Sequence, residues 1–311
     1  MIHLSSNAAK NLDIILPNTN KALALALKNA TPEQLQNLTQ TKDLSAILNN
    51  ILKQSSTTNE MQNRALLELL KNNPTLKSLS NAVPNIKALL TLVKDDKNFS
   101  ALERTLQNFM TNIKDIDSKE LHKKFQSSGL FLENELKKSP NPKEILGSDL
   151  KALLLKTDEQ LSNAATTPKT TEMLKQIDKL TLQIDYYQLL SHLSNGSSLY
   201  IPYSWDALKE GNISIKKMQN KNYCCDIHLN LKEYGELDLR LILTDERQLT
   251  ITMTSQSKEL KETILQNMQM LKKQLSNAAL VTKDIRFIDK QENFYDDTVL
   301  DSLAMGFEVK V

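Results

Sequence analysis

The side chains best able to do chemistry in this 311-residue sequence are four histidines and two adjacent cysteines. The histidines do not recur at the spacing of metal ligands. One of them, His228, lies close to Asp226, and such a pair could transfer protons. No motif places a serine or cysteine nucleophile beside this pair, and the sequence has no glycine-rich phosphate loop. We therefore expect no catalytic, cofactor-binding or metal site, and a protein that is not an enzyme.

The cysteines, Cys224 and Cys225, are neighbours in the chain, so a disulfide between them would be strained. Adjacent side chains of a strand point to opposite faces, which predicts one buried thiol and one exposed thiol. A redox pair is the less favoured alternative. The pattern indicates a reducing compartment, or a protein that does not depend on oxidation.

The charges are nearly balanced, with 39 basic and 37 acidic residues and a formal net charge of +2. Such a chain has no strong overall attraction for nucleic acid or anionic lipid. Weak nucleic-acid binding by a local basic face is an alternative, although interleaved acidic residues favour ordinary solvated charge. That face would consist of Lys216, Lys217, Lys221, Arg240, Lys272 and Lys273 with Tyr200, Tyr203 and Tyr223.

The elements that would position these side chains are three runs of strict apolar–polar alternation, at 226–231, 237–243 and 249–254. Alternation with period two predicts strands that each have one apolar face. The stretches between them, 232–236 and 245–247, have hairpin length, so we expect antiparallel neighbours. The predicted apolar faces consist of Ile227, Leu229 and Leu231, then Leu237, Leu239, Leu241 and Leu243, then Leu249, Ile251 and Met253.

A helical segment is predicted from Ser257 to about Asn277, with an apolar stripe that can cover the sheet. A last strand is expected at 281–288, and two earlier strands at 199–202 and 211–216. The predicted fold class is α+β, a mostly helical N-terminal region followed by a C-terminal antiparallel sheet packed against a long helix. The stripe consists of Leu260, Ile264, Met268, Leu271, Leu275 and Ala278.

The domain organisation predicted from composition has five parts. They are a helical N-terminal region at 1–162, a Thr/Asn-rich linker at 163–171, a connecting helix at 172–197, an α+β domain at 198–288 and a tail at 289–311. A partly disordered arm is the alternative for the first part. The N-terminal helices are expected at about 21–29, 32–38, 44–53, 60–71, 84–93, 100–113, 118–125, 130–137 and 142–155.

The tail, 289–311, is acidic at first and apolar towards its end. It either folds back on the domain as a helix and a strand, or serves as a docking peptide for a partner. At the other end, the first residues lack a basic segment and a continuous apolar stretch, so we expect no cleaved signal peptide. No apolar run approaches about 18 residues, which predicts no integral membrane segment.

The stretch Leu229–Leu237, the strands around it, the helix Lys261–Leu275 and the strand that follows resemble the C-terminal domain of flagellar hook-length control proteins, the FliK family. The resemblance covers residues 198–288. Positions that match the family pattern are Gly235, Ile264, Met268, Leu271, Lys272 and Leu275. Positions that depart from it are Leu231 for Pro, Tyr234 for Leu, Lys261 for Arg, Gln269 for Pro and Ala279 for Gly.

The resemblance implies a non-enzymatic factor of flagellar type III export that controls hook length and switches the class of exported substrate by binding the export gate. It implies a cytoplasmic location at the export apparatus, with export of the protein itself through that apparatus as an alternative. Its implied partner is the cytoplasmic domain of the FlhB-type export switch protein, and other export or hook components are further candidates. A structural or scaffolding protein with the same C-terminal fold is the alternative function. Partner contacts are expected on the polar face at Asp226, His228, Asp238 and Arg240, or on the turn formed by Lys232, Glu233, Tyr234, Gly235 and Glu236.

Overall fold

The computed structural model describes residues 20–31, 57–77, 79, 82–194, 196–201, 203–218 and 222–288. The chain divides into two compact units, 1–205 and 206–311. The helices expected at 32–38 and 44–53, and the tail from 289 onwards, lie outside the described residues.

The first unit is built mainly from helices, and most of them form where helical periodicity and capping residues predict them. Asp117 and Asp149 each accept a hydrogen bond from a backbone N–H of the first turn that follows, as N-cap residues do. The elements are α1 Lys21–Lys28, α2 Thr57–Asn72, α3 Pro74–Lys77, α4 Val83–Val93, α5 Ser100–Phe109, α6 Ser118–Gln126, α7 Leu132–Lys138, α8 Pro142–Leu146, α9 Leu150–Ser162, α10 Pro168–Leu193 and β1 Ser197–Tyr200.

The helix predicted over 142–155 is interrupted and forms α8 and α9. Gly147 ends α8, and the carboxylate of Asp149 accepts the backbone N–H of Ala152 at 3.1 Å, which starts α9. A similar shortening occurs in α5, which ends at Phe109 instead of continuing to Ile113. Local capping therefore outweighs the continuous apolar pattern at these points.

α10 is the central helix of the first unit, because α1, α2, α4, α9 and β1 all pack against it. It begins at Pro168 with a capping box between Thr167 and Thr170, so part of the stretch expected to be a linker is helical. The helix expected to connect two domains thus lies inside the first unit. The boundary between the units falls after Trp205, and β1 belongs to the first unit.

The second unit is a sheet with two helices. Its elements are β2 Leu208–Lys217, β3 Tyr223–Leu231, β4 Gly235–Thr244, β5 Gln248–Ser255, α11 Lys258–Gln266, α12 Met268–Asn277 and β6 Val281–Phe287. The strands lie in the order β2-β3-β4-β5-β6. Neighbours from β2 to β5 are antiparallel, whereas β6 runs parallel to β5. The parallel pair requires a crossover, and α11 and α12 supply it.

The register of the sheet confirms the predicted apolar face. Leu241 lies opposite Ile251, and the buried residues Leu249, Ile251 and Met253 form the centre of the core. The expected single helix is divided at Asn267. This residue is the C-cap of α11, and its backbone N–H bonds to the last turn of that helix. Its stripe nevertheless continues across the break, since Ile264, Leu271 and Leu275 pack on this core. The fold class is α+β, as predicted.

Candidate partner-binding surface

Four charged or ionisable side chains lie together on the face of β3 and β4 opposite the apolar core. Asp226 pairs with Arg240 in the register, and His228 pairs with Asp238. Alternate residues of a strand point to the same side, so the antiparallel register brings these four together. We call Asp226, His228, Asp238 and Arg240 the charged face.

The pair furthest from the hairpin turn is a two-point ion pair. Nε of Arg240 donates to Oδ1 of Asp226 at 2.7 Å, and Nη2 donates to Oδ2 at 3.2 Å. The side chains are 11% and 18% exposed, respectively. The planar guanidinium matches both carboxylate oxygens, so this pair has a fixed orientation.

The second pair joins His228 to Asp238. Nδ1 of His228 lies 2.5 Å from Oδ1 of Asp238. The histidine side chain is 31% exposed, whereas the aspartate side chain is only 4% exposed. The hydrogen bond with Asp238 raises the pKa of His228, and this effect outweighs the opposing effect of burial. The aspartate therefore favours the protonated form of His228 and fixes the direction of the ring.

The neighbouring strand adds a hydroxyl to this row, since Thr254 lies opposite Asp238 on β5. Within the described part of the chain, the buried Oγ1 of Thr254 has no hydrogen-bond partner. The register places Asp238, and not His228, beside this threonine. Activation of a hydroxyl nucleophile needs a base within hydrogen-bond reach, and the Oγ1 of Thr254 has no such partner among the described residues.

The turn between β3 and β4 is the exposed end of the same hairpin. Its residues Lys232, Glu233, Gly235 and Glu236 are exposed, and Tyr234 is half-buried. Gly235 has a φ of +73°, and a Cβ added there would meet nothing within 4 Å. The glycine is therefore required by the backbone conformation and not by crowding.

The nine predicted contact residues thus form one continuous strip along the β3–β4 hairpin. The turn comes first, then the pair His228–Asp238, then the pair Asp226–Arg240. Accessibility varies along the strip, because the turn is exposed while Asp238 is buried. The turn is therefore the most accessible part, and the charged face is held in place by its own pairs.

The cysteines precede this strip on β3. Cys224 is buried and Cys225 is half-buried, and both are free. Burial, reinforced by the nearby carboxylate of Asp226, raises the pKa of Cys224 to about 11 and that of Cys225 to about 12. Both thiols are therefore protonated near neutral pH and are poor nucleophiles.

A buried charged cluster in the first unit was missed by the sequence interpretation. Nζ of Lys151 lies 2.8 Å from Oε1 of Glu133, 3.3 Å from Oδ1 of Asp185 and 2.6 Å from Oε1 of Gln188. The amide of Gln188 in turn donates to Oε2 of Glu133 at 2.6 Å. The signal available in the sequence is a lysine inside the apolar run that begins at Leu150. These four side chains are called the buried cluster below.

Burial governs the ionisation of this region. It raises the pKa of Asp149 to about 7, although backbone N–H groups of Ala152 and Gly129 partly offset the shift. For Lys151, burial lowers the pKa, but Glu133 and Asp185 outweigh it and the net shift is upward. The lysine therefore remains charged, and its role is to neutralise carboxylates that the fold has buried.

Among the described residues, no group of three or more histidine, cysteine, aspartate or glutamate side chains could hold a metal ion. Within the same part of the chain, no helix combines the length and apolar character needed to cross a membrane.

The second unit is an α+β domain in which two helices cross over between the last two strands of a sheet. The comparison with protein families then gives a match over residues 211–295, to the family described as flagellar hook-length control protein FliK. The second unit therefore contains a domain of the FliK C-terminal hook-length control type, and the match supports a role in flagellar hook-length control. No curated protein and no solved structure matched the chain.

Proposed function

We propose that this protein takes part in flagellar hook-length control by binding the cytoplasmic domain of the FlhB-type export switch protein, and that this contact changes the class of exported substrate. The observation that carries the proposal is the family match over residues 211–295. The action is by protein contact, without a chemical step, at the export apparatus. Other export or hook components are further candidate partners.

The contact surface in this proposal is the β3–β4 hairpin. The exposed turn, 232–236, makes the first contact, and the charged face fixes the shape and charge of the adjoining surface. Support comes from the accessibility of Lys232 and Glu233, which are exposed and carry opposite charges. Charged groups at the rim of an interface mainly influence association and specificity, so reversal of these charges disfavours the native partner.

The binding test uses charge reversal at the turn, with Lys232→Glu and Glu233→Lys examined separately. Each substitution is expected to weaken binding to the cytoplasmic domain of the FlhB-type export switch protein by about tenfold, which corresponds to about 1.4 kcal/mol. The unfolding free energy should change by no more than about 0.5 kcal/mol, because both side chains are exposed. Isothermal titration calorimetry and urea unfolding measure the two quantities.

The matched control is Lys272→Glu, which reverses an exposed charge on α12, away from the hairpin. It should leave the dissociation constant unchanged. Equal loss of binding in the control and the turn variants would remove the hairpin as the contact surface. Absence of binding by the unaltered protein, together with normal hook lengths by electron microscopy in a deletion strain, would reject the proposed function itself.

A further inference from the structure

The outer edge of β6 is the feature that leads beyond the proposed function. β6 is the last strand in the order, and no other strand pairs with its outer edge in the described part of the chain. Ile285 and Phe287 pack on the core, whereas Asp284 and Arg286 are exposed. Such an edge presents unpaired backbone N–H and C=O groups and can accept another strand.

The sequence after β6 contains a segment with the pattern of a complementary strand. The chain continues beyond Ile288, and residues 307–311 alternate as Phe, Glu, Val, Lys and Val. Period-two alternation is typical of a strand with one apolar face. The two polar positions carry opposite charges, as do Asp284 and Arg286 on β6.

We propose that residues 307–311 dock as an antiparallel strand on the outer edge of β6 within the same chain. One register satisfies the apolar and the charged positions together. It places Phe307 opposite Phe287, Glu308 opposite Arg286, Val309 opposite Ile285, and Lys310 opposite Asp284.

The two antiparallel registers that are shifted by two residues also keep the apolar residues on the core side, but they bring like charges together. A shift of two residues in one direction sets Lys310 against Arg286, and a shift in the other direction sets Glu308 against Asp284. Parallel pairing with Val309 beside Ile285 opposes like charges at both polar positions. Like charges directly opposite each other destabilise a strand pair, and the proposed antiparallel register is the one that forms both opposite-charge pairs.

Two exposed charged side chains of β6 are placed to pair with Glu308 and Lys310 in this register. Nε of Arg286 is 3.7 Å from Oδ2 of Asp284, and the two side chains are 61% and 48% exposed. They share one face of the strand and are open to solvent. Glu308 and Lys310 would extend this exposed pair into a ladder of four alternating charges.

The connection is compatible with a hairpin-like return. With Phe307 opposite Phe287, residues 289–306 only have to close a loop whose ends are adjacent. The entropic cost of closing a flexible loop rises slowly with its length, at about 0.6 kcal/mol per doubling. The chain can therefore protect its own edge strand from pairing with other molecules.

Hydrogen exchange on the full chain and on a chain ending at Ile288 tests this docking. In the full chain, residues 281–288 and 307–311 should both be protected, and removal of the tail should increase exchange in 281–288. Exchange of 307–311 at the rate of a free peptide, with unchanged exchange in β6, would overturn the proposal.

Paired charge reversals test the register. Arg286→Glu and Glu308→Arg should each speed exchange of β6 amides by about two- to fivefold, as expected for one cross-strand pair. The double variant should restore the original rate. The matched control combines Arg286→Glu with Asp296→Arg, which changes net charge equally but lies outside the docking segment. Equal restoration by both double variants would overturn the register.

Measurements at different protein concentrations distinguish docking within one chain from docking between two copies. Intramolecular docking predicts that protection of β6 does not depend on protein concentration. Protection that rises with concentration, together with a dimer mass that disappears on removal of the tail, would assign the edge to a second copy and reject the proposal. These outcomes do not involve the export partner, so they are independent of the proposed function.

Discussion

The two units hold charged side chains in opposite ways. In the first unit, Lys151 is 4% exposed and is surrounded by carboxylates and an amide of the buried cluster. In the second unit, the charged face forms cross-strand pairs, and His228 at its outer end is 31% exposed. The charged groups of the first unit are buried, whereas those of the second unit lie beside an exposed turn. Charged residues therefore indicate a contact surface only when their accessibility is known.

The two regions also differ in the cause of their ionisation behaviour. For Asp149, next to the buried cluster, burial dominates and raises the pKa to about 7. For His228, the hydrogen bond with Asp238 dominates and raises the pKa against the effect of burial. The raised pKa of Asp149 means that the fold disfavours the ionised aspartate. The raised pKa of His228 means that the fold favours the ionised histidine.

Removal of the cation from the buried cluster should have the largest effect. Lys151→Ala leaves Glu133 and Asp185 without their counter-charge in a buried site, at an expected cost of about 3–5 kcal/mol in unfolding free energy. Urea unfolding followed by circular dichroism measures this loss. The control Lys156→Ala removes an exposed lysine from the same helix and should change stability by less than about 0.5 kcal/mol. Similar losses in both variants would contradict the role of the cluster.

A pH series should show the next effect, through Asp149. Its pKa is raised from 3.8 to about 7 in the folded protein, so the folded state binds the proton more tightly. This contribution is fully present below pH 3.8 and is lost as the pH rises towards 7, by up to about 1.4 kcal/mol per pH unit.

The variant Asp149→Asn isolates this dependence, because it retains an acceptor for the N-cap bond but cannot ionise. The difference in unfolding free energy between the unaltered protein and this variant should change across the window. Asp117→Asn, at the exposed N-cap of α6, is the matched control. A difference that stays constant from pH 4 to 7 for Asp149→Asn would show that Asp149 ionises normally in the folded state.

The smallest effect is expected at the charged face. Arg240→Ala removes both hydrogen bonds to Asp226, but the carboxylate is 18% exposed and regains some hydration. The expected loss of unfolding free energy is about 1–2 kcal/mol, between the values for buried and surface pairs. Thermal and urea unfolding measure this loss. The control is Lys283→Ala, which removes an exposed lysine of β6. A loss equal to that of Lys151→Ala would remove the distinction between the two units.

The sheet of the second unit was predictable because period-two alternation fixes the apolar face of each strand, and the hairpin-length turns indicate antiparallel neighbours. The observed pairs Leu239–Met253 and Leu241–Ile251 join two of the predicted apolar faces. The parallel direction of β6 was not predicted, since it depends on how the crossover helices return the chain. The break at Asn267 was also missed, because the apolar stripe continues across it.

The first unit was less predictable, because its organisation depends on contacts between residues far apart in sequence. The periodicity of α10 indicates a helix but not the helices that surround it. The buried cluster joins Glu133 and Lys151 to Asp185 and Gln188, and no local pattern links these positions. The exposure of the hairpin turn, in contrast, follows from its short polar sequence.

The attachment of α1 has a consequence for the order of folding during synthesis. The backbone N–H of Lys21 donates to Oδ2 of Asp185 across 164 residues. At about 5–20 residues per second, roughly 10–30 seconds separate the synthesis of these two residues. Ala22, Leu23 and Ala26, which are buried in the finished protein, have to wait this long for α10. The first described helix of the chain therefore gains its contacts with α10 only late in the synthesis of the first unit.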